Sequence, residues 1–331
     1  MEVIVLGAGA IGSLYGAKLA GENNVTLVGR PDHVHAIQEN GLRVEGIETQ
    51  TVRLRAATRI DSLKPDSLIL LTTKLPGTIS ALETVAALVR DDTTIVALQN
   101  GLNSDSIARK ALDGRGLVLR GITQFGAIFE RPGLIRYTVK GYTLLEKHDR
   151  SPRIAAVMNA AGLDCRISPD IKSEVWRKLI FNCVVNPITT IIGSEVGGIT
   201  DPRLDPLKQL VIDECVAVAE AEGVLLKTDL MAQINAAYAG SQNIVSMRQD
   251  LLRGRPTEID YLNGAVAALG ATHNLDCPIN EGLTKIIKAM ETAAGDVASA
   301  KLARESVGTG KSTVNDSTAL QTAALSHPIK K

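Results

Sequence analysis

The chain opens on a short β-branched run, Glu2–Leu6, that passes straight into Gly7-Ala8-Gly9-Ala10-Ile11-Gly12 and then into residues 13–20, which have helical spacing. A strand, a glycine turn and a helix in that order constrain the fold more than any other stretch. The first glycine permits the tight turn, the second lets backbone approach a pyrophosphate, and the third lets the helix pack closely on the strand. The unpaired N–H groups of the helix N-terminus then face the anion. Such a string arises by chance in glycine-rich loops. Its place between these two elements makes Gly7, Gly9, Ala10, Ile11 and Gly12 cofactor-binding positions in an α/β, Rossmann-like first domain.

The end of the second strand, residues 24–28, decides which dinucleotide fits. An NAD site usually places Asp or Glu there for the ribose 2′-hydroxyl, and this chain has Gly29-Arg30. No carboxylate repels a 2′-phosphate and Arg30 can pair with it, which favours NADP (NADPH). Asp32 is read as the N-cap of a helix through Glu39 ended by Gly41; as an alternative it makes the ribose contact itself. Two more strands, 67–73 and 93–98, run into Lys74 and into Gln99-Asn100-Gly101. In a parallel doubly wound sheet the carboxyl ends of strands share an edge, so the glycine turn, Arg30, Lys74 and Asn100 line one crevice. The bland readings are a solvated Lys74 and an Asn100 that only shapes a turn before glycine.

Residues 116–145 read as four strands around a Pro132-Gly133 turn, and Ala127, in the second of them, is assigned to the cofactor set. Residues 152–162 read as a helix, after which the character changes. The expected division is a dinucleotide-binding domain over 1–167, an all-α C-terminal domain carrying substrate and catalysis over 168–304, and a poorly ordered tail over 305–331. In the second domain, helices are expected at 207–223, 228–238, 242–252, 257–269 and 280–291.

Its first helix, Trp176 to Pro187, carries Lys178, Asn182 and Asn186 four residues apart in an otherwise apolar run. Two such steps turn a helix by only about 80°, so the three side chains share a stripe. A mostly buried helix that carries an ammonium and two amides must give them partners, and a ligand in a cleft is one. A nicotinamide reductase asks its protein for a proton donor and for substrate anchors. Lys178 can protonate the oxygen of a ketone, with partial burial lowering its pKa, while Asn182 and Asn186 offer neutral donors and acceptors. Glu258 and Asp260 are candidate counter-charges; the bland reading of Glu258 is a first-turn acid after a capping Thr257, and that of Ser246 is a helix-surface serine.

Composition excludes several classes. Thirty-six basic residues balance 36 acidic ones, which gives no steering toward nucleic acid or an anionic membrane surface. No apolar run reaches the roughly 18 residues of a membrane span. The start lacks the basic region of a signal peptide, so a cytoplasmic location is expected. Cys165, Cys183, Cys215 and Cys277 are scattered without metal-ligand spacing, which reads as reduced core thiols and no metal site. The apolar helix around 207–218 can serve as core or as a homodimer surface.

Taken together, the glycine string Gly7 to Gly12, Lys74, Gln99-Asn100-Gly101, Trp176-Arg177-Lys178-Leu179 through Asn182 and Asn186-Pro187, Ser246-Met247 with Gln249-Asp250, and Thr257 to Gly264 resemble the ketopantoate reductases (2-dehydropantoate 2-reductases) over nearly the whole chain to about residue 295. The resemblance implies NADPH-dependent reduction of a 2-keto acid, 2-dehydropantoate to pantoate in pantothenate and coenzyme A biosynthesis. It implies Lys178 as general acid, Glu258 as the acid holding the substrate hydroxyl, Asn182, Asn186 and Ser246 as substrate anchors, Asn100 and Lys74 at the cofactor and substrate cleft, and Arg30 on the 2′-phosphate. Where well-studied members carry a further asparagine in an Asn-Gly-Glu-Leu-like string, this chain has Glu195-Val196-Gly197-Gly198. Reaction class is therefore implied more closely than substrate. Two alternatives stay open: an NADP-dependent 2-hydroxyacid dehydrogenase for another branched or aromatic 2-keto acid, and a non-catalytic NADPH-binding sensor.

Overall fold

A computed structural model of the chain describes the backbone of residues 1–308 and the side chains of residues 1–294. In chain order the first part runs β1 (Glu2–Leu6), α1 (Ala10–Leu19), β2 (Asn24–Val28), α2 (Pro31–Asn40), β3 (Leu42–Gly46), β4 (Gln50–Val52), β5 (Arg55–Ala57), β6 (Leu68–Leu71), α3 (Thr78–Glu83), β7 (Thr94–Ala97), α4 (Ser104–Ala111), β8 (Leu117–Thr123), β9 (Gly126–Arg131), β10 (Leu134–Val139), β11 (Thr143–Glu146), α5 (Ser151–Ala160) and β12 (Cys165–Ser168). The second part is helical: α6 (Ile171–Ile191), α7 (Asp205–Ala221), α8 (Leu230–Tyr238), α9 (Ser246–Leu252), α10 (Asn263–Thr272) and α11 (Pro278–Gly308).

Eight strands form one sheet in the order β12-β11-β8-β7-β6-β1-β2-β5, and four form a second in the order β4-β3-β10-β9. In the large sheet β5, β2, β1, β6, β7 and β8 run parallel, and β11 reverses the direction against β8. The chain passes from β1 to β2 on one side and returns to β6 on the other, so the order switches at β1 and a crevice opens at its carboxyl end. Alternate residues of β1 serve opposite faces. Val3 and Val5 join a core with α1, α5 and the small sheet, while Ile4 and Leu6 join one with α3 and α4.

Helix α6 begins at Asp170, whose carboxylate accepts the Ser173 N–H at 3.1 Å as an N-cap. Pro187 lies inside it and has no N–H to offer the Cys183 carbonyl one turn earlier. Asn263 at the start of α10 donates its side-chain amide to that carbonyl at 2.9 Å, which lets α6 continue through the proline. Trp176, Leu179, Ile180, Cys183 and Val184 then form the centre of the helical core, and all four cysteines are free and buried.

Several expectations shift. Arg30, not Asp32, occupies the N-cap of α2; Pro31 is the first helical residue and Asp32 lies inside the first turn, where no side chain caps the helix. The helix expected from residue 242 begins only at Ser246, because the carbonyls of Asn243 and Ser241 accept the backbone N–H groups of Val196 and Gly197, both at 2.8 Å. The helix expected over 257–269 is broken at Leu262 (φ −111°, ψ −101°), so a 3-10 turn, Ile259–Tyr261, precedes α10. Strands β3, β4, β5 and β12 have no expected counterpart. Of the tail, residues 305–308 belong to α11, and the rest lies outside the described residues.

Candidate active site at the crevice

The glycine turn is tied into the sheet edge. Gly7 (φ +113°) and Ala8 both donate to the Val28 carbonyl, at 3.0 and 2.9 Å. A Cβ on Gly7 would stand 2.5 Å from the Thr73 nitrogen, and one on Gly12 would stand 2.2 Å from the Gly7 carbonyl oxygen. Only glycine fits at these two positions. Gly9 differs: a Cβ there would meet nothing within 4 Å, so this glycine faces open space at the N-terminus of α1. No side chain caps that helix and no acid sits in its first turn. An open concavity, exposed backbone at Gly9 and uncapped N–H groups at Ala10, Ile11 and Gly12 suit a pyrophosphate. Two residues past β2, Arg30 is exposed and, among the described residues, makes no side-chain hydrogen bond.

The next strand ends deliver the polar groups. Leu6 pairs with Leu71 and Leu71 with Ala97, so the residues after β6 and β7 emerge beside the glycine turn. Lys74 reaches out from this edge to Asp250 on α9, with 2.6 Å between Nζ and Oδ2. Gln99 is buried and donates to Thr78 at 2.9 Å, which fixes the turn beyond it. Asn100 donates from Nδ2 to Glu258 Oε2 at 3.3 Å. Half-buried Glu258 thus sits against the sheet edge, not in the first turn of an α-helix as its bland reading would have it. Removal from water pushes its carboxyl above the usual range, with Asn100 and then Lys74 opposing the shift.

Lys178 faces this group from α6. Its ammonium donates to the Thr123 carbonyl, at the end of β8, over 2.6 Å. Removal from water, then the like charge of Arg120, push it down to about 7 from an ordinary 10.5, and Glu258 pulls the other way. A lysine poised there can act as an acid near neutral pH. Along the same stripe Asn182 is half-buried and Asn186 buried, and among the described residues neither amide makes a hydrogen bond. Lys178, Glu258, Asn100 and Lys74 therefore converge, and the two asparagines extend the wall.

Two expected positions stand apart. Ser246 is exposed at the start of α9, which packs on α6, and among the described residues its hydroxyl has no partner. Ala127 pairs with Tyr137 in the small sheet and packs into the first core; at the site it is the Thr123 carbonyl, at the end of the preceding strand, that meets Lys178. Asp250 and Arg120 receive no role from sequence. Asp250 lies within the Gln249-Asp250 pair, but a carboxylate that is 7% exposed and ion-paired across elements has no local signature. Arg120 lies in an apolar strand pattern, Leu117-Val118-Leu119-Arg120, where a charge buried at 5% exposure is itself the available signal.

Comparison with known proteins places this geometry. Residues 3–150 match the family Ketopantoate reductase PanE/ApbA, and residues 170–291 match Ketopantoate reductase PanE/ApbA C terminal. A 2-dehydropantoate 2-reductase of Pyrococcus abyssi is 36% identical over 306 residues, 89% of this chain and 99% of that protein. The one of Mesorhizobium japonicum is 32% identical over 323 residues, again 89% and 99%. Among solved structures, a PanE/ApbA family ketopantoate reductase from Ralstonia eutropha JMP134 superposes with a TM-score of 0.82 at 29% identity, covering 89% of this chain and 99% of that one. A D-mandelate dehydrogenase in a ternary structure with NADH and anilino(oxo)acetate superposes with a TM-score of 0.83 at 25% identity, with the same coverage.

Proposed function

The chain belongs to the ketopantoate reductase (PanE/ApbA) family, an oxidoreductase family acting on CH–OH groups, and on that premise we propose that it reduces a 2-keto acid with NADPH, 2-dehydropantoate to pantoate. The observation that carries the reading is Lys178, a lysine pushed down to about 7 and held on the Thr123 carbonyl opposite the Asn100–Glu258 pair. Gly7, Gly9, Ala10, Ile11 and Gly12 would hold the pyrophosphate of NADPH and Arg30 its 2′-phosphate, and the cofactor so held would be the source of the hydride.

The chain's own groups do the rest. The Lys178 ammonium hydrogen-bonds the ketone oxygen, stabilises negative charge as it develops there, and transfers its proton to it. Glu258 accepts a hydrogen bond from the substrate hydroxyl, and Asn100 holds that carboxylate in place. The free amides of Asn182 and Asn186, with the Ser246 hydroxyl at the rim, would anchor the carboxylate and the remaining polar atoms. Packing of α6 into the helical core and against β8 leaves Lys178 half-buried, so its charge interactions there are stronger than at an open surface.

A second reading is favoured by one observation, the fold match to a D-mandelate dehydrogenase solved with NADH and anilino(oxo)acetate. An aromatic 2-keto acid would then replace ketopantoate with the same lysine chemistry. One assay separates the readings. The purified protein is given NADPH with ketopantoate and a panel of branched and aromatic 2-keto acids, and loss of nicotinamide absorbance is followed. The highest kcat/KM with ketopantoate is expected. A preference for an aromatic acid favours the second reading, and no oxidation with any acid overturns both in favour of an NADPH-binding sensor.

A further inference from the structure

We infer that Arg120 is a positioning residue of this site: its buried guanidinium fixes the turn that carries Asn100 and sets a permanent positive charge beside the Lys178 ammonium. The inference rests on the reading of Lys178 as proton donor. Arg120 pairs with Ala97 across β8 and β7 and is only 5% exposed. Its Nη2 donates to the Gly101 carbonyl at 2.8 Å, and its Nη1 donates to the Ala97 carbonyl at 3.3 Å and to the Ser104 hydroxyl. The end of β7, the turn after Asn100 and the first residue of α4 are thereby held by one planar group, a task that suits the fixed fork of arginine and not the single point of lysine.

Among the described residues no carboxylate hydrogen-bonds that guanidinium, and its Nε, also buried, has no partner. Asp105 on α4 and Glu146 on β11 act on it only through space; Glu146 instead accepts the backbone N–H of Arg120 at 2.8 Å. A buried cation without an ion-pair partner is costly to folding, and three neutral acceptors compensate only in part. What the position provides is charge. Three residues further along β8, the Thr123 carbonyl holds Lys178. The charged groups acting on Lys178 are Arg120 from β8, which disfavours its protonated form, and Glu258 from the turn before α10, which favours it; Lys74 and Asp250 act in turn on Glu258. Arg120 thus makes the ammonium a readier acid while aligning the asparagine that holds the Glu258 carboxylate.

The test is the pH profile of kcat/KM for ketopantoate reduction in wild type, Arg120→Met, Arg120→Lys and Ser104→Ala, with NADPH affinity measured in each. The proton donor must be charged, so activity falls on the alkaline side as Lys178 deprotonates. Arg120→Met should move that limb upward by roughly one pH unit. Arg120→Lys should leave the limb in place but lower kcat several-fold, and Ser104→Ala should lower kcat without moving it. A Lys178-dependent limb that stays put in Arg120→Met, with kcat unchanged, overturns the inference. Should Arg120→Met fail to fold, the other two decide: lowered kcat with NADPH affinity kept supports it, and wild-type kcat in both overturns it. An alkaline limb that survives in Lys178→Ala overturns instead the reading of Lys178 on which this one rests.

Discussion

Lys74 and Asp250 meet at 2.6 Å across the crevice, one at the carboxyl edge of the large sheet and the other on α9 of the helical part. The lysine side chain is 50% exposed and the aspartate 10%, so solvent screens much of the attraction and the pair is worth about 1 kcal/mol. Asp250→Ala should lower the unfolding free energy by about that amount at low ionic strength and by less in 1 M salt. Urea titrations at the two salt concentrations check this, and an equal loss in both would show that packing, not charge, joins the elements.

The second and third glycines of the turn should respond differently to alanine. In Gly12→Ala the new methyl meets the Gly7 carbonyl at 2.2 Å and Thr72 Oγ1 at 2.6 Å, so the fold should lose about 1–3 kcal/mol or more. Gly9→Ala meets nothing within 4 Å and should fold with a Tm close to wild type. Its methyl would occupy the concavity assigned to the pyrophosphate, so NADPH affinity should fall at least tenfold. Unchanged affinity in folded Gly9→Ala would move the cofactor elsewhere.

Arg30→Ala should cost NADPH about ten- to a hundredfold in affinity, the worth of one charge-assisted contact to phosphate, and leave NADH binding as it was. Fluorescence titration with both nucleotides gives the ratio. An unchanged ratio removes Arg30 from the phosphate and returns Asp32 as the ribose contact.

His33 is expected to cost the fold stability in acid. Its ring accepts the Gly133 N–H at Nδ1 over 2.9 Å, which leaves the proton on Nε2 to be donated to Ser13 Oγ at 3.0 Å. Burial, then Arg30, push it down to about 4 from 6.5. The unfolded chain takes up a proton near 6.5 and the native one only near 4, so this contribution is complete above 6.5 and is lost as pH falls toward 4. The span corresponds to at most about 3 kcal/mol. His33→Gln, which can keep both hydrogen bonds, should flatten stability against pH over that interval, and an unaltered slope would assign the acid loss to other groups.

The legible parts of this molecule are those governed by local sequence. The glycine turn declares itself because Gly7 and Gly12 have no room for a side chain, and the α6 stripe because three polar residues recur at helical spacing in an apolar run. Elements shorter than a periodicity, such as β4 and β5, leave too few residues for a pattern. The start of α9 is not legible because the backbone before it bonds to Val196 and Gly197, a partner about 45 residues distant that no window contains. For the same reason the Lys74–Asp250 pair and the Arg120 hub leave no local trace. Each joins residues whose meaning is fixed only when separate strands end at one edge.

The central claim is that Lys178 supplies the proton. In Lys178→Ala, turnover of ketopantoate with NADPH, followed by nicotinamide absorbance, should fall by about 10²–10⁴-fold while NADPH affinity is kept, and the wild-type rate should itself decline as pH rises through about 7. Near-normal turnover in that variant, with the same decline at alkaline pH, would contradict the account.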